Sequence, residues 1–135
     1  MTDVRDLLPK SKYDVENAKM IVAQGYPAAE IVLPELLEWL KDCNWPVSRI
    51  LEPFLASVGL PLAPFVRNIL QTDDEMWKYW ILSCIVMPSA EIFEAVQKDV
   101  IRIASTSSGG EDEEEVRKVA WQILRHYNIN LADAS

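Results

Sequence analysis

A chain of 135 residues in which half the side chains are hydrophobic and a quarter are charged has a globular composition, and it excludes a mainly disordered protein. At this length one domain buries about two thirds of the surface its unfolded chain exposes, so a real core is available. Thirteen Lys and Arg against 21 Asp and Glu leave a formal net charge of -8, which repels a polyanion before any local contact forms and makes nucleic acid a poor partner.

Residues 1–13 read as an N-terminal arm. Its start, Met1 to Asp6, has neither the basic flank nor the apolar run of a secretory signal, so a cytoplasmic location is expected. Leu7 and Leu8, followed by Pro9, are expected to lie over one end of the fold. Asp14 reads as the N-cap of a helix with apolar positions Val15, Ala18, Ile21 and Val22, and Gly25 is placed to end it. Residues 27–41 form a helix interrupted by Pro34, which lacks an N–H and crowds the preceding turn; a kink or two short pieces is the expectation.

The turn Lys41-Asp42-Cys43-Asn44-Trp45-Pro46 carries helix-start chemistry. Asn44 can accept a backbone N–H and Pro46 suits a first turn. The helix that follows presents the apolar stripe Val47, Ile50, Leu51, Phe54 and Leu55. A second unit begins with Ala63, Pro64, Val66 and Leu70, continues through a capping box of Thr72 with Glu75, and presents Trp77, Trp80, Ile81, Cys84 and Ile85. The apolar run from Trp80 to Met87 is broken by Ser83 and falls far short of the ~20 residues that span a bilayer, so no membrane partner is expected. In the third unit a helix runs from about Ser89 through Phe93, Val96, Val100 and Ile103 to Ala104. Residues 105–111 form a flexible Ser/Gly insertion, after which the acidic run to Glu115 opens a last helix with Glu113/Arg117 and Glu114/Lys118 as (i, i+4) pairs. Its stripe is Val116, Val119, Ala120, Ile123 and Leu124, and the chain tapers off from Asn128 to Ser135.

The same stripe thus recurs in each unit, and Leu33, Pro34, Leu36 and Leu40 map onto Ala63, Pro64, Val66 and Leu70. The unit is a helix pair that covers both its apolar faces only when stacked on a neighbour. An all-α fold is expected, residues 1–135 forming a single domain, a short solenoid of about three helix pairs.

Catalytic constellations are missing from the pattern. The single histidine, His126, falls in the last turn of the final helix, where a cation suits the dipole. Gly109-Gly110 lacks the lysine and preceding strand of a phosphate loop, and the adjacent Asp73 and Asp74 fit helix caps better than an acid–base pair. Cys43 and Cys84 have no Cys-x-x-Cys spacing, so both read as packed or half-exposed thiols rather than a disulfide or metal site. No catalytic residue, cofactor or metal is expected.

The aromatic residues say more. Of five tryptophans, Trp77 and Trp80 fall on core positions, whereas Trp45 lies in a turn beside Asp42 and Asn44 and fits both a hydrophobic staple and a partner anchor. By the repeat offsets Arg49 aligns with Tyr79 and Lys118, and Glu52 with Leu82 and Trp121. With Lys78 and Arg125 these positions make a mixed aromatic and basic strip on the second helices, suited to gripping an acidic or extended peptide unless the third unit or the C-terminal segment folds over it. The expected partner-binding residues are Asp42, Asn44, Trp45, Arg49, Trp77, Lys78, Tyr79, Leu82, Lys118 and Trp121.

Leu8-Pro9-Lys10 followed by Tyr13-Asp14, then Gly25-Tyr26-Pro27, Leu33 to Leu40, Asn44-Trp45-Pro46-Val47 and Trp77-Lys78-Tyr79-Trp80 resemble a small bacterial domain family of unknown function related to HEAT-like repeats. The resemblance spans almost the whole chain and implies a HEAT-like α-α superhelix, a class that mostly binds other proteins. The Ser/Gly insertion departs from a regular array. The expected function is a non-enzymatic protein-interaction module with an unidentified protein partner. One form of it is a toxin-neutralising immunity-type protein, since an acidic domain can block a basic enzyme by charge complementarity. The competing class is a HEAT-like nucleic-acid glycosylase, which the net charge opposes.

Overall fold

Proline and glycine decide where the helices begin and stop. In a computed structural model that describes residues 3–105 and 111–129, the α-helices are α1 (Val15–Gln24), α2 (Leu33–Glu38), α3 (Pro46–Val58), α4 (Ala63–Leu70), α5 (Glu75–Ile81), α6 (Ala90–Ser105) and α7 (Glu111–His126), with no strand among the described residues. Pro34 and Pro64 sit in the first turns of α2 and α4, where the missing N–H deprives the helix of no bond. Each is preceded by a 3-10 turn, Ala28–Val32 and Leu60–Leu62, so both segments are built in two pieces, as expected at Pro34. Pro53, inside α3, was not anticipated; it lies on the exposed side of that helix.

Several helix ends differ from the sequence reading. Asp14 does cap α1, its carboxylate accepting from Asn17 N–H at 3.4 Å and from Lys10 N–H at 3.0 Å. The Lys10 bond, ahead of the bonds to Asn17, holds this carboxyl below its ordinary range, because each favours the charged form. The cap of α5 is Asp74, which accepts from Trp77 N–H at 3.1 Å, and not Thr72, whose hydroxyl donates back to Ile69 C=O at 2.7 Å and finishes α4. Asn44 caps nothing either: its own N–H donates to Asp42 at 2.9 Å, and α3 starts on Pro46 without a side-chain cap. Ion pairs on α7 run (i, i+3), Arg117 to Glu114 and Lys118 to Glu115, one residue off the expected register. The C-terminus of α7 does not taper at once. Asn128 adopts φ 59°, Ile129 N–H reaches Leu124 C=O at 2.8 Å and Asn128 N–H reaches Arg125 C=O at 3.1 Å, a Schellman closure that brings Tyr127 against the core. The Ser/Gly insertion lies outside the described residues except for its ends, Ser105 and Glu111.

The stripes find one another. α3 packs against α1 on one side and against the π-helical turn Leu82–Val86 that continues α5 on the other, while α7 packs against α5 and that same turn. Separately, α4 packs on α6, α4 meets α5, and α6 meets α7. Val47, Leu51, Leu55, Ile81, Ile85, Val116, Ile123 and Leu124 are all buried in one continuous cluster with Leu33, Leu36, Leu37, Leu40, Val66 and Leu70. Val4 and Leu7 of the arm are buried in it too, and Val47 N–H donates to Lys12 C=O at 3.1 Å, so the arm covers one end as expected. At the α4/α6 contact Arg67 and Arg102 donate to Ala95 C=O (2.6 Å) and Leu70 C=O (3.2 Å), and both reach Asp99. Gly59, at φ 74°, leaves α3 with Glu91 accepting from Leu60 N–H at 3.2 Å; a Cβ there would run into that carboxylate. No single helix among the described residues is long and apolar enough to cross a membrane.

Candidate functional site

α2 and the 3-10 turn Trp39–Lys41 after it turn Glu35 and Glu38 to solvent while Leu33, Leu36, Leu37 and Leu40 fill the core and Trp39, half-buried, packs against it. Both glutamates are exposed, and neither forms an ion pair among the described residues. Between α2 and α4 a hollow of about 320 Å³ is lined by Pro34, Leu37, Phe65, Asn68, Ile69 and Trp77 together with Glu35 and Glu38. A second hollow, of about 350 Å³, is lined by Leu8, Pro9, Trp39 and Trp45 and by the same two glutamates. Sharing that pair, the hollows adjoin along α2 and make a groove with aromatic walls and an acidic middle.

Its walls are held from behind. Trp77 Nε1–H donates to Leu37 C=O at 3.0 Å, which ties α5 to the end of α2, and Lys41 Nζ lies 4.6 Å from the Trp77 ring centroid. Trp39 and Trp45 meet edge to face at 5.9 Å and 75°, a pairing worth about 0.5–1.5 kcal/mol beyond burial. Ser48, buried at the start of α3, turns its hydroxyl to the carbonyls of Trp39 and Asp42 (3.0 Å for the latter), fixing the turn that carries Trp45. These contacts set the rings before any ligand arrives, which lowers the ordering cost of binding.

The expected partner residues do not come together as one strip. Trp45 and Trp77 both line the groove, and Asp42 and Asn44 lie in its supporting turn, where Asp42 accepts from Asn44 N–H. Leu82 is fully buried and offers no surface, because it continues the inward face set by Lys78 and Ile81 of α5; Lys78 is nearly buried too, its amine 2.7 Å from Glu75. Both are withdrawn from the strip. Arg49 is exposed, and Tyr79, half-buried, stands edge to face with Trp80 at 5.0 Å. Lys118 and Trp121 do line a surface, a shallow hollow of about 350 Å³ completed by Gln122 and Arg125. Sequence reasoning missed Glu35, Glu38, Trp39 and Phe65. The available signal was the (i, i+3, i+4) run of Glu35, Glu38 and Trp39, which puts two acids and an indole on one helix face.

Fold and groove together define an all-helical protein with a tryptophan-walled acidic recess. Residues 7–124 match the family described as Domain of unknown function (DUF5071), and the chain belongs to that family. No curated protein matches the sequence.

Proposed function

We propose that this chain is a non-enzymatic protein-interaction module of the HEAT-like helical-repeat class, and that its groove along α2 receives a cationic segment of a protein partner. The serial packing of α1, α3, α5 and α7, with α4 and α6 packed on each other beside it, supports the repeat reading. The observation that carries the binding reading is the pair of unpaired carboxylates, Glu35 and Glu38, set between indoles fixed from behind. Aromatic faces next to carboxylates suit Arg or Lys, which stack on the ring and pair with the acid. Lys41 over Trp77 is an intramolecular instance of the same contact. A net charge of -8 adds long-range attraction for a basic partner and speeds encounter, which is also what a toxin-neutralising role would use. The docking surface thereby moves from the second helices to the groove.

The test is a titration of intrinsic tryptophan fluorescence with an Arg-rich decapeptide and its Glu-substituted counterpart. Binding of the basic peptide alone, weakened by raised salt and by the Glu35→Lys/Glu38→Lys double variant, supports the reading. Equal affinity for both peptides, or no effect of the charge reversal, overturns it.

A further inference from the structure

Cys43 and Cys84, far apart in sequence and unremarkable there, approach each other in the fold, and Glu52 joins them. The ligand atoms of all three, two Sγ and one carboxylate oxygen, lie within 4.8 Å of one another. They come from three different elements: Cys43 from the turn before α3, Glu52 from α3, and Cys84 from the π turn after α5. A π turn inserts an extra residue into the helical register and re-aims its side chains, and such turns recur at functional sites. Here it carries Cys84; Met87 N–H closes back on Leu82 C=O at 3.0 Å.

The group is electrostatically incomplete. All three members are acids, both thiols are free, and Glu52 takes part in no ion pair among the described residues. Cys43 is buried, whereas Glu52 and Cys84 are half-buried, so the cluster has a closed side and a side reached from solvent. We propose that Cys43, Cys84 and Glu52 bind a thiophilic divalent cation, Zn²⁺, as a three-ligand centre with its fourth position left to water.

The donor set selects the metal class. Two sulfurs and one oxygen suit borderline zinc and exclude hard Mg²⁺ or Ca²⁺, which take oxygen alone. In a tetrahedral zinc centre with bonds of about 2.0–2.3 Å the ligand atoms stand about 3.3–3.8 Å apart, so donors already within 4.8 Å of one another need to close in by no more than about 1.5 Å. On binding, each thiol releases one proton to solvent and Glu52 enters as carboxylate, which leaves the site with one negative charge. Because both thiols must lose their protons to bind, affinity strengthens as pH rises. The proposal is independent of the groove reading.

The experiment loads the fully reduced chain with Co²⁺ and then displaces it with Zn²⁺. A single bound equivalent is expected, with a thiolate-to-cobalt charge-transfer band in the near ultraviolet, tetrahedral d–d bands in the visible, and loss of both on adding Zn²⁺. Cys43→Ser and Cys84→Ser each weaken the charge-transfer band, and circular dichroism checks that they fold. Glu52→Gln, which leaves both thiols and the core in place, weakens Zn²⁺ binding by more than about tenfold, since even an outer-shell partner is typically worth that much. No stoichiometric Co²⁺ or Zn²⁺ uptake by the reduced wild-type chain overturns the proposal, as does uptake of equal affinity in Glu52→Gln or in a folded Cys84→Ser.

Discussion

The groove on α2 and the shallow hollow on α7 both display tryptophan beside charge, yet they are built in opposite ways. In the groove the indoles are anchored, Trp77 by a hydrogen bond to Leu37 and Trp39 and Trp45 by each other, while the charges, Glu35 and Glu38, form no ion pair among the described residues. On α7 Lys118 pairs with Glu115 while the exposed Arg125 forms no ion pair among the described residues, and Trp121 packs against the core with no hydrogen bond or ring contact among them. A recognition surface gains most from rings that are already ordered and charges that are still available. By the anchoring of its rings, and with two like charges available against the single Arg125 of α7, the groove is the stronger candidate.

The largest test of the contrast removes what joins the two regions. α5 touches both the Trp39–Lys41 turn and α7, and Ile81 within it is fully buried. Ile81→Ala is expected to cost about 2–5 kcal/mol and to shift one shared unfolding transition. Urea denaturation followed by both tryptophan fluorescence and far-ultraviolet circular dichroism checks it; two separated transitions would mean that the regions are stabilised independently. Next in size, Trp77→Ala loses packing, the bond to Leu37 and the Lys41 contact, about 3 kcal/mol in all, whereas Trp121→Ala loses half-buried packing alone, about 1 kcal/mol. Equal losses in the same denaturation assay would remove the claim that only the groove's rings are anchored.

The helical stripes were legible because burial leaves a periodic trace: Val47, Leu51, Ile81, Val116 and Ile123 fall where 3.6-residue spacing places them. The paired prolines, Pro34 and Pro64, were legible as breaks for the same local reason. What escaped depended on geometry that spacing does not encode. The buried positions Lys78, Ile81, Leu82, Ile85 and Val86 run one residue on from the stripe expected at Trp77, Trp80, Ile81, Cys84 and Ile85, and this takes Leu82 out of the ladder of Tyr79, Leu82 and Trp121 expected from repeat offsets. Lys78 looked like a surface cation until Glu75, one turn earlier, drew it down. The groove needed two first helices side by side, and the Cys43/Glu52/Cys84 group needed three elements to converge; no local window contains either. Trp45, open to two readings in sequence, packs on Trp39 and also lines the groove.

Charge reversal probes the contrast at about the 1.4 kcal/mol scale of a tenfold change. With the Arg-rich decapeptide, Glu35→Lys/Glu38→Lys is expected to weaken binding about tenfold, because each exposed pair is worth only about 0.2–1 kcal/mol even when long-range attraction helps. Lys118→Glu, the same kind of change on α7, is expected to leave affinity unchanged or slightly improved. A larger response to Lys118→Glu than to the groove variant would exchange the roles of the two regions.

Alkaline pH separates them last, since each carries in its framework one acid whose protonated form the fold favours. Cys43, in the turn that supports Trp45, has its thiol raised from an ordinary value of 9.0 by Cys84, burial and Glu52, and Tyr127, closing α7, has its phenol raised from 10.0 by burial while it donates to Met87 C=O at 2.6 Å. In both the folded state holds the proton more tightly than the unfolded chain, so the stabilisation is complete below the unfolded value and is lost as pH rises past it. The metal-free protein is therefore expected to keep its stability up to about pH 9, then to lose up to about 1.4 kcal/mol per pH unit through Cys43, and to lose further past pH 10 through Tyr127. Cys43→Ser should flatten the first part of that curve and Tyr127→Phe only the second, read as urea midpoints across the alkaline range. If Tyr127→Phe flattened the curve from pH 9 onward while Cys43→Ser did nothing, the groove-side thiol would not be the group that titrates, and the incomplete cluster around it would lose its electrostatic meaning.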